Sequence, residues 1–126
     1  MVYSRELLIG KWYRTDTDEQ GNQVSEYAEM SADGSFEFTF IYQNMTGEIT
    51  QQSIELGDWG LVGDIHFTMT KSEFIDDEHY AVDLNEPDNY NAYRVLALTN
   101  QTFKYQHVVS QEIYISRRLT SDVGNC

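Results

Sequence analysis

The stretch SFEFTFIYQ, residues 35–43, places Phe36, Phe38, Phe40 and Tyr42 on one side of an extended chain and Glu37 and Thr39 on the other. That period of two recurs. IHFTMT (65–70) sets Ile65, Phe67 and Met69 against His66, Thr68 and Thr70. TFKYQHVV (102–109) sets Phe103, Tyr105, His107 and Val109 against Lys104 and Gln106. A helix would scatter these side chains around its circumference, whereas a strand lines them up. Turn signals cut the chain into strand-length pieces: DEQGN (18–22), ADGS (32–35), NMTG (44–47), VGD (62–64), PDN (87–89), TNQ (99–101) and SQE (110–112). A chain patterned this way is all-β.

Eight strands are expected, over 8–15, 23–30, 35–43, 47–62, 65–71, 90–99, 102–109 and 112–119; splitting the fourth at Gly57 makes nine. Gly57, Gly60 and Gly63 around Trp59 signal a bulge or bend. Connections this short make successive strands antiparallel neighbours. Such strands, each with one apolar face, form a sandwich or a barrel, and a meander without long crossovers favours a closed up-and-down barrel. Two places break the rhythm. YSRELL (3–8) suits a short helical turn, and KSEFIDDEHYAVDLNEPDN (71–89) reads as one long acidic connection holding the only proline, Pro87.

Charge and cysteine content narrow the partners. The 126 residues make one domain, with 21 Asp and Glu against eight Lys and Arg, a formal net charge of −13. Binding to phosphates needs clustered cations, so neither nucleic acid nor an anionic membrane surface is an expected partner. No run approaches the roughly 18 apolar residues of a membrane-spanning helix. The start, MVYSRELLIGKW, lacks the cationic and long apolar regions of a secretion signal, and a cytoplasmic location is expected. The single cysteine, Cys126, can form no internal disulfide, and a terminal thiol without a role is expected.

LLIGKWYR (7–14) near one end and ISRRL (115–119) near the other, with a meander between, resemble the lipocalin-like (calycin) barrels over residues 7–119. In that family a Gly-x-Trp on the first strand plugs the closed end, and an arginine near the end of the last strand packs across the tryptophan. The resemblance implies that Gly10, Trp12 and Arg118, with Arg117 as the alternative arginine, close the barrel floor. A guanidinium stacked on indole gains cation–π energy while its donors tie down loose carbonyls. GDWGLVGDIHF (57–67) and YRVLALTNQTFKY (93–105) are similar to hairpins of the short bacterial lipocalin-like domains. Nothing corresponds to the long helix or the disulfide of classical lipocalins, and DTDEQGN (16–22) is too short for the helix pair that caps fatty-acid-binding proteins. The resemblance implies a fold, and fold alone does not fix function.

Chemical motifs are sparse. TDTDEQGNQVSEY (15–27) imitates a calcium loop at Asp16, Asp18 and Gly21, but Tyr27 stands where a bidentate glutamate is needed, so it reads as a hairpin turn. Asp76, Asp77, Glu78 and His79 are ligand types without the spacing to converge on one ion, and read as a solvated loop or a lid over the barrel mouth. No Gly-x-Ser-x-Gly elbow, internal cysteine, His-Glu-x-x-His or dinucleotide fingerprint is present, so no catalytic residue, metal site or cofactor is expected. No carboxylate pair stands out among the 21. His66 falls on the polar face of its segment and is expected to be exposed. His107 shares a face with Phe103 and Tyr105 and is expected inward, as a core residue or one that orients a ligand.

Phe36, Phe38, Phe40, Tyr42, Phe67, Met69, Phe103, Tyr105 and His107 are the expected inner lining. A small eight-stranded barrel is either filled by its side chains or holds one small ligand. The first reading is therefore a binding module for a small, mostly apolar molecule, oriented by Tyr42, Tyr105 or His107. The alternative is a filled barrel that acts through its outer surface, as a homo-oligomer or against a partner protein. An enzyme is the least supported reading, because no acid–base constellation is visible.

Overall fold

In the computed structural model, which describes residues 3–119, the alternating segments pair into one antiparallel sheet; Cys126 lies outside the described residues. The strands are β1 (Gly10–Thr17), β2 (Gln23–Met30), β3 (Ser35–Gln43), β4 (Ile49–Val62), β5 (Ile65–Ile75), β6 (Glu78–Ala81), β7 (Tyr90–Leu98), β8 (Thr102–His107) and β9 (Ile113–Leu119). A short helical turn, α1 (Arg5–Leu8), precedes them. β1 pairs with β9 and β4 with β5, which closes a ring through every strand except β6. The barrel is thus eight-stranded, with β4 continuous, and closure removes the exposed edges that an open sheet would carry.

The long acidic connection turns out to be strand over nearly half its length. β5 continues to Ile75, reverses at Asp76 and Asp77, and returns as β6, whose Glu78 pairs with Ile75. Both aspartates take positive φ, 48° and 71°, a conformation that short polar side chains tolerate better than most. The imidazole of His79 packs on Phe74 with ring centroids 4.8 Å apart. The residues read as a solvated loop or lid, Asp76, Asp77, Glu78 and His79, are therefore a tight turn and the start of an outer strand. Pro87–Asn89 then forms a single 3-10 turn that leads into β7.

The β4–β5 hairpin corrects two further expectations. Its two-residue turn pairs Val62 with Ile65, Leu61 with His66, Trp59 with Thr68 and Gly57 with Thr70. Paired residues share a face of the sheet. Trp59 is buried in the core, so His66, Thr68 and Thr70 point inward with it, while Phe67 and Met69 point out. His66, expected to be exposed, is fully buried, and Phe67 is 42% exposed. The physical reason is Gly60, opposite Phe67: with no side chain there, the Phe67 ring folds across the bare outer backbone, where a Cβ would collide with it. The register slips between Leu56 and Gly57, opposite the extra residue Lys71. At that bend Gly57 must be glycine, because a Cβ would strike the Met69 carbonyl and the Phe36 ring. Beyond the slip Glu73 pairs with Glu55.

The core gathers at the α1 end. Leu8, Trp12, Met30, Phe36, Trp59, Val95, Leu98 and Phe103 are all buried there, with Tyr105 above. Burying a large apolar side chain contributes about 1.5–3 kcal/mol, which is why the two tryptophans sit here. Connections β1–β2, β3–β4 and β8–β9 lie at the other end, the barrel mouth, together with the segment after β6.

Candidate functional site

The floor is built from two arginine–tryptophan pairs. Arg118 stands opposite Trp12 in the β1–β9 pairing, and its guanidinium carbon lies 4.2 Å from the centre of the indole. Its Nε donates to the Asn100 carbonyl at 2.6 Å, Nη1 to Ile9 at 2.8 Å, and Nη2 to Leu7. The indole Nε1–H donates to the Leu8 carbonyl at 2.9 Å. Gly10 has φ of +129°, and a Cβ there would strike Arg118 Nη1. Arg117 instead faces out, opposite Tyr13. The second pair was not read from the sequence: the Arg5 guanidinium lies 4.6 Å from the Trp59 ring centre and donates to the Ala32 carbonyl at 2.9 Å. Trp59 Nε1–H in turn donates to Ser31 at 3.0 Å. The helical turn α1 is thereby stitched across the barrel end by both arginines.

Above this floor lies a cavity of about 200 Å³. One wall, from β7, β8 and β9, is aromatic. Phe103 stacks on Tyr105 at 4.2 Å, Tyr105 on Tyr114 at 5.4 Å, and Tyr93 meets Tyr105 edge-on at 5.1 Å. The wall across from it, from β1 to β4, mixes Phe38 and Phe40 with Arg14, Glu26 and Glu55. His66, Thr68 and Thr70 line the side given by β5, and Asp88 and Asn91 reach the lining at the mouth.

The strand register explains the charged wall. Arg14 is the next inward residue after Trp12 on β1, and Glu26 is its partner on β2. Arg14 Nε donates to Glu26 Oε1 at 2.5 Å, and Nη1 donates to Asp16. The guanidinium also packs 4.7 Å from the centre of the Tyr114 ring. Burial holds the Glu26 carboxyl above its ordinary value even with Arg14 beside it. Glu55 is raised too, first by burial and then by Glu73 and Glu26; the Thr70 hydroxyl, which donates to it at 3.1 Å, opposes this. Burial and the nearby Glu26 raise the Tyr93 and Tyr105 phenols, so both remain hydroxyls able to donate.

His66 is pushed down to about 4 by burial. Its Nδ1 lies 3.2 Å from the Gly60 carbonyl, which can only accept, so Nδ1 carries the hydrogen. The neutral ring then keeps Nε2 as an acceptor. The lining thus offers hydroxyl donors, an imidazole acceptor, carboxylates and one committed guanidinium around an aromatic body.

Of the expected lining, Phe38, Phe40, Phe103 and Tyr105 border the cavity, and Phe36 is stacked beneath Phe38 at 4.0 Å. Tyr42 is at the mouth, 37% exposed. Phe67 and Met69 border an outer groove instead. His107 keeps the inward face of β8, paired with Tyr93 and edge-on to its ring at 5.1 Å, but at the mouth end, where it also borders that groove and holds the β8–β9 turn: its Nδ1 accepts from the Val109 and Ser110 N–H groups, and Nε2 is 3.0 Å from Asn91 Oδ1. Arg14, Glu26, Glu55, His66, Tyr93 and Tyr114 were not foreseen. One signal was available for His66. The VGDI turn fixes its register to Trp59, and a tryptophan placed inward carries His66 inward with it.

No family model and no curated protein matches the sequence. The structure is similar to that of a lipocalin-like protein from Bacteroides uniformis ATCC 8492, with a TM-score of 0.55, over 90% of this chain and 99% of that one, at 15% identity. Identity that low speaks to architecture and not to what is bound. With eight antiparallel strands closed in sequence order and a helical turn across one end, the chain has a lipocalin-like β-barrel fold.

Proposed function

We propose that this barrel is a binding module that holds one small molecule in its interior. The observation that carries the reading is the cavity of about 200 Å³ between a doubly stitched floor and an open mouth. Ligand pockets are concave, largely apolar and furnished with a few placed polar groups. Here the aromatic wall supplies the apolar part, and Arg14, Glu26, Glu55 and His66 supply the polar groups. The ligand is a small one with an apolar body and a polar head, more polar than the sequence alone suggested. Native mass spectrometry of the purified protein tests this. Excess mass that vanishes on denaturation supports the reading. A bare polypeptide mass, together with no rise in melting temperature across a library of small amphipathic compounds, overturns it.

A second reading rests on the outer groove between β5, β7 and the β8–β9 turn. Phe67, Tyr90, Val108 and Val109 are exposed there, Val109 by 80%, next to Met69 and Ala92. Contiguous exposed apolar surface of this kind serves contact with another protein. A dimer mass in the same spectra favours this role.

A further inference from the structure

Resting on the cavity reading, we propose that the ligand carries a protonated amine, which seats on the Glu55 carboxylate while its apolar body lies against the aromatic wall. Of the two carboxylates inside the strand lining, Glu26 already has a cation. Glu55 has none among the described residues: the Thr70 hydroxyl, at 3.1 Å, is its one hydrogen-bond donor. Glu73 pairs with it across β4 and β5 and carries the same sign, and Asp88 adds a further carboxylate at the mouth. The one guanidinium in the lining, Arg14, is committed to both Glu26 and Asp16 and stacked on Tyr114.

An anionic ligand would meet carboxylates on one wall and would have to break an existing ion pair to reach a cation. A neutral ligand would leave the Glu55 charge held by one hydroxyl, in surroundings that penalise an unpaired charge. An ammonium group corrects that imbalance with charge-assisted hydrogen bonds, which are the stronger kind. Tyr93 and Phe40 border the same space, and an aromatic ring beside a bound cation adds favourable cation–π contact. The net charge of −13 also draws cations toward the protein.

The test is calorimetric titration at pH 7.5 and low salt with three probes of one shape: 2-phenylethylamine, 2-phenylethanol and 3-phenylpropanoate. The expected order is the amine at least tenfold tighter than the alcohol, and the carboxylate weakest. Glu55→Gln should cut amine affinity at least tenfold, with a cooperative melting curve to show that the variant folds. The probe order on the unaltered chain stands even if that variant does not fold. An alcohol that binds as tightly as the amine overturns the amine assignment and leaves the cavity reading in place. An amine advantage that survives in folded Glu55→Gln also overturns the assignment. If none of the three probes binds, the amine assignment falls, while the cavity reading stands or falls on the native mass and the compound library.

Discussion

His66 shows how one inward side chain couples this fold to pH. Unfolded, its ordinary value is 6.5; burial in the barrel brings it to about 4. Between those values the unfolded chain binds a proton that the folded chain refuses, so stability is full above about pH 6.5 and falls as the pH drops toward 4. At about 1.4 kcal/mol per unit the complete loss approaches roughly 3 kcal/mol. Glu26 and Glu55 work in the opposite sense, since a carboxyl raised in the folded state holds its proton more tightly there. Comparison with His66→Gln separates the two effects. Denaturant unfolding at pH 7.5 and pH 5.0 should show the native chain losing about 2 kcal/mol more than the variant. Equal losses would mean that His66 takes its proton in the folded barrel as readily as in the unfolded chain. Alternation did not reveal this residue, because period two separates two faces without saying which is inside. Where apolar Phe67 covers a bare glycine outside, polarity points the wrong way. The same ambiguity hid Arg14, Glu26 and Glu55, which pattern as surface residues and sit at inward positions.

Strands and turns were far more legible than the cavity they enclose. Each of the eight barrel strands announces itself through neighbours in sequence, and short turns force antiparallel pairing, so the closed barrel follows from local information. The β5–β6 hairpin escaped because Asp-Asp lacks the glycine that marks a tight turn. That deviation makes a prediction. Asp76 Oδ1 accepts the Gln52 N–H at 3.0 Å, so the first turn residue contributes to pairing and should be kept. Asp77 stands at φ of 71°, where glycine is free of Cβ strain. Asp77→Gly should raise stability by up to about 1 kcal/mol, seen as a higher urea midpoint at unchanged slope. A lower midpoint would show that the Asp77 side chain holds the hairpin in a way that its backbone angle does not reveal.

Considered as one body, the barrel carries its acid excess as a mutual repulsion. With 21 acidic residues against eight basic ones, compaction brings like charges together, and salt screens them over about 10 Å at 0.1 M. Raising sodium chloride from 20 to 300 mM should therefore raise the melting temperature by roughly 3 °C, the equivalent of about 1 kcal/mol for a domain of this size. A melting temperature that falls with salt would place the balance in the ion pairs instead, Arg14 with Glu26 above all.

The stitch from Arg118 to the carbonyls of Leu7 and Ile9 also carries a sense of time. It joins residues 111 and 109 positions apart, so the ring is not sealed until synthesis has reached Arg118. Before then β1 waits with one flank unpaired, a template for any passing strand. A nascent chain halted just short of Arg118 should be an open, sticky sheet rather than a smaller barrel. The arrival of β9 is what converts this chain from a hazard into a container.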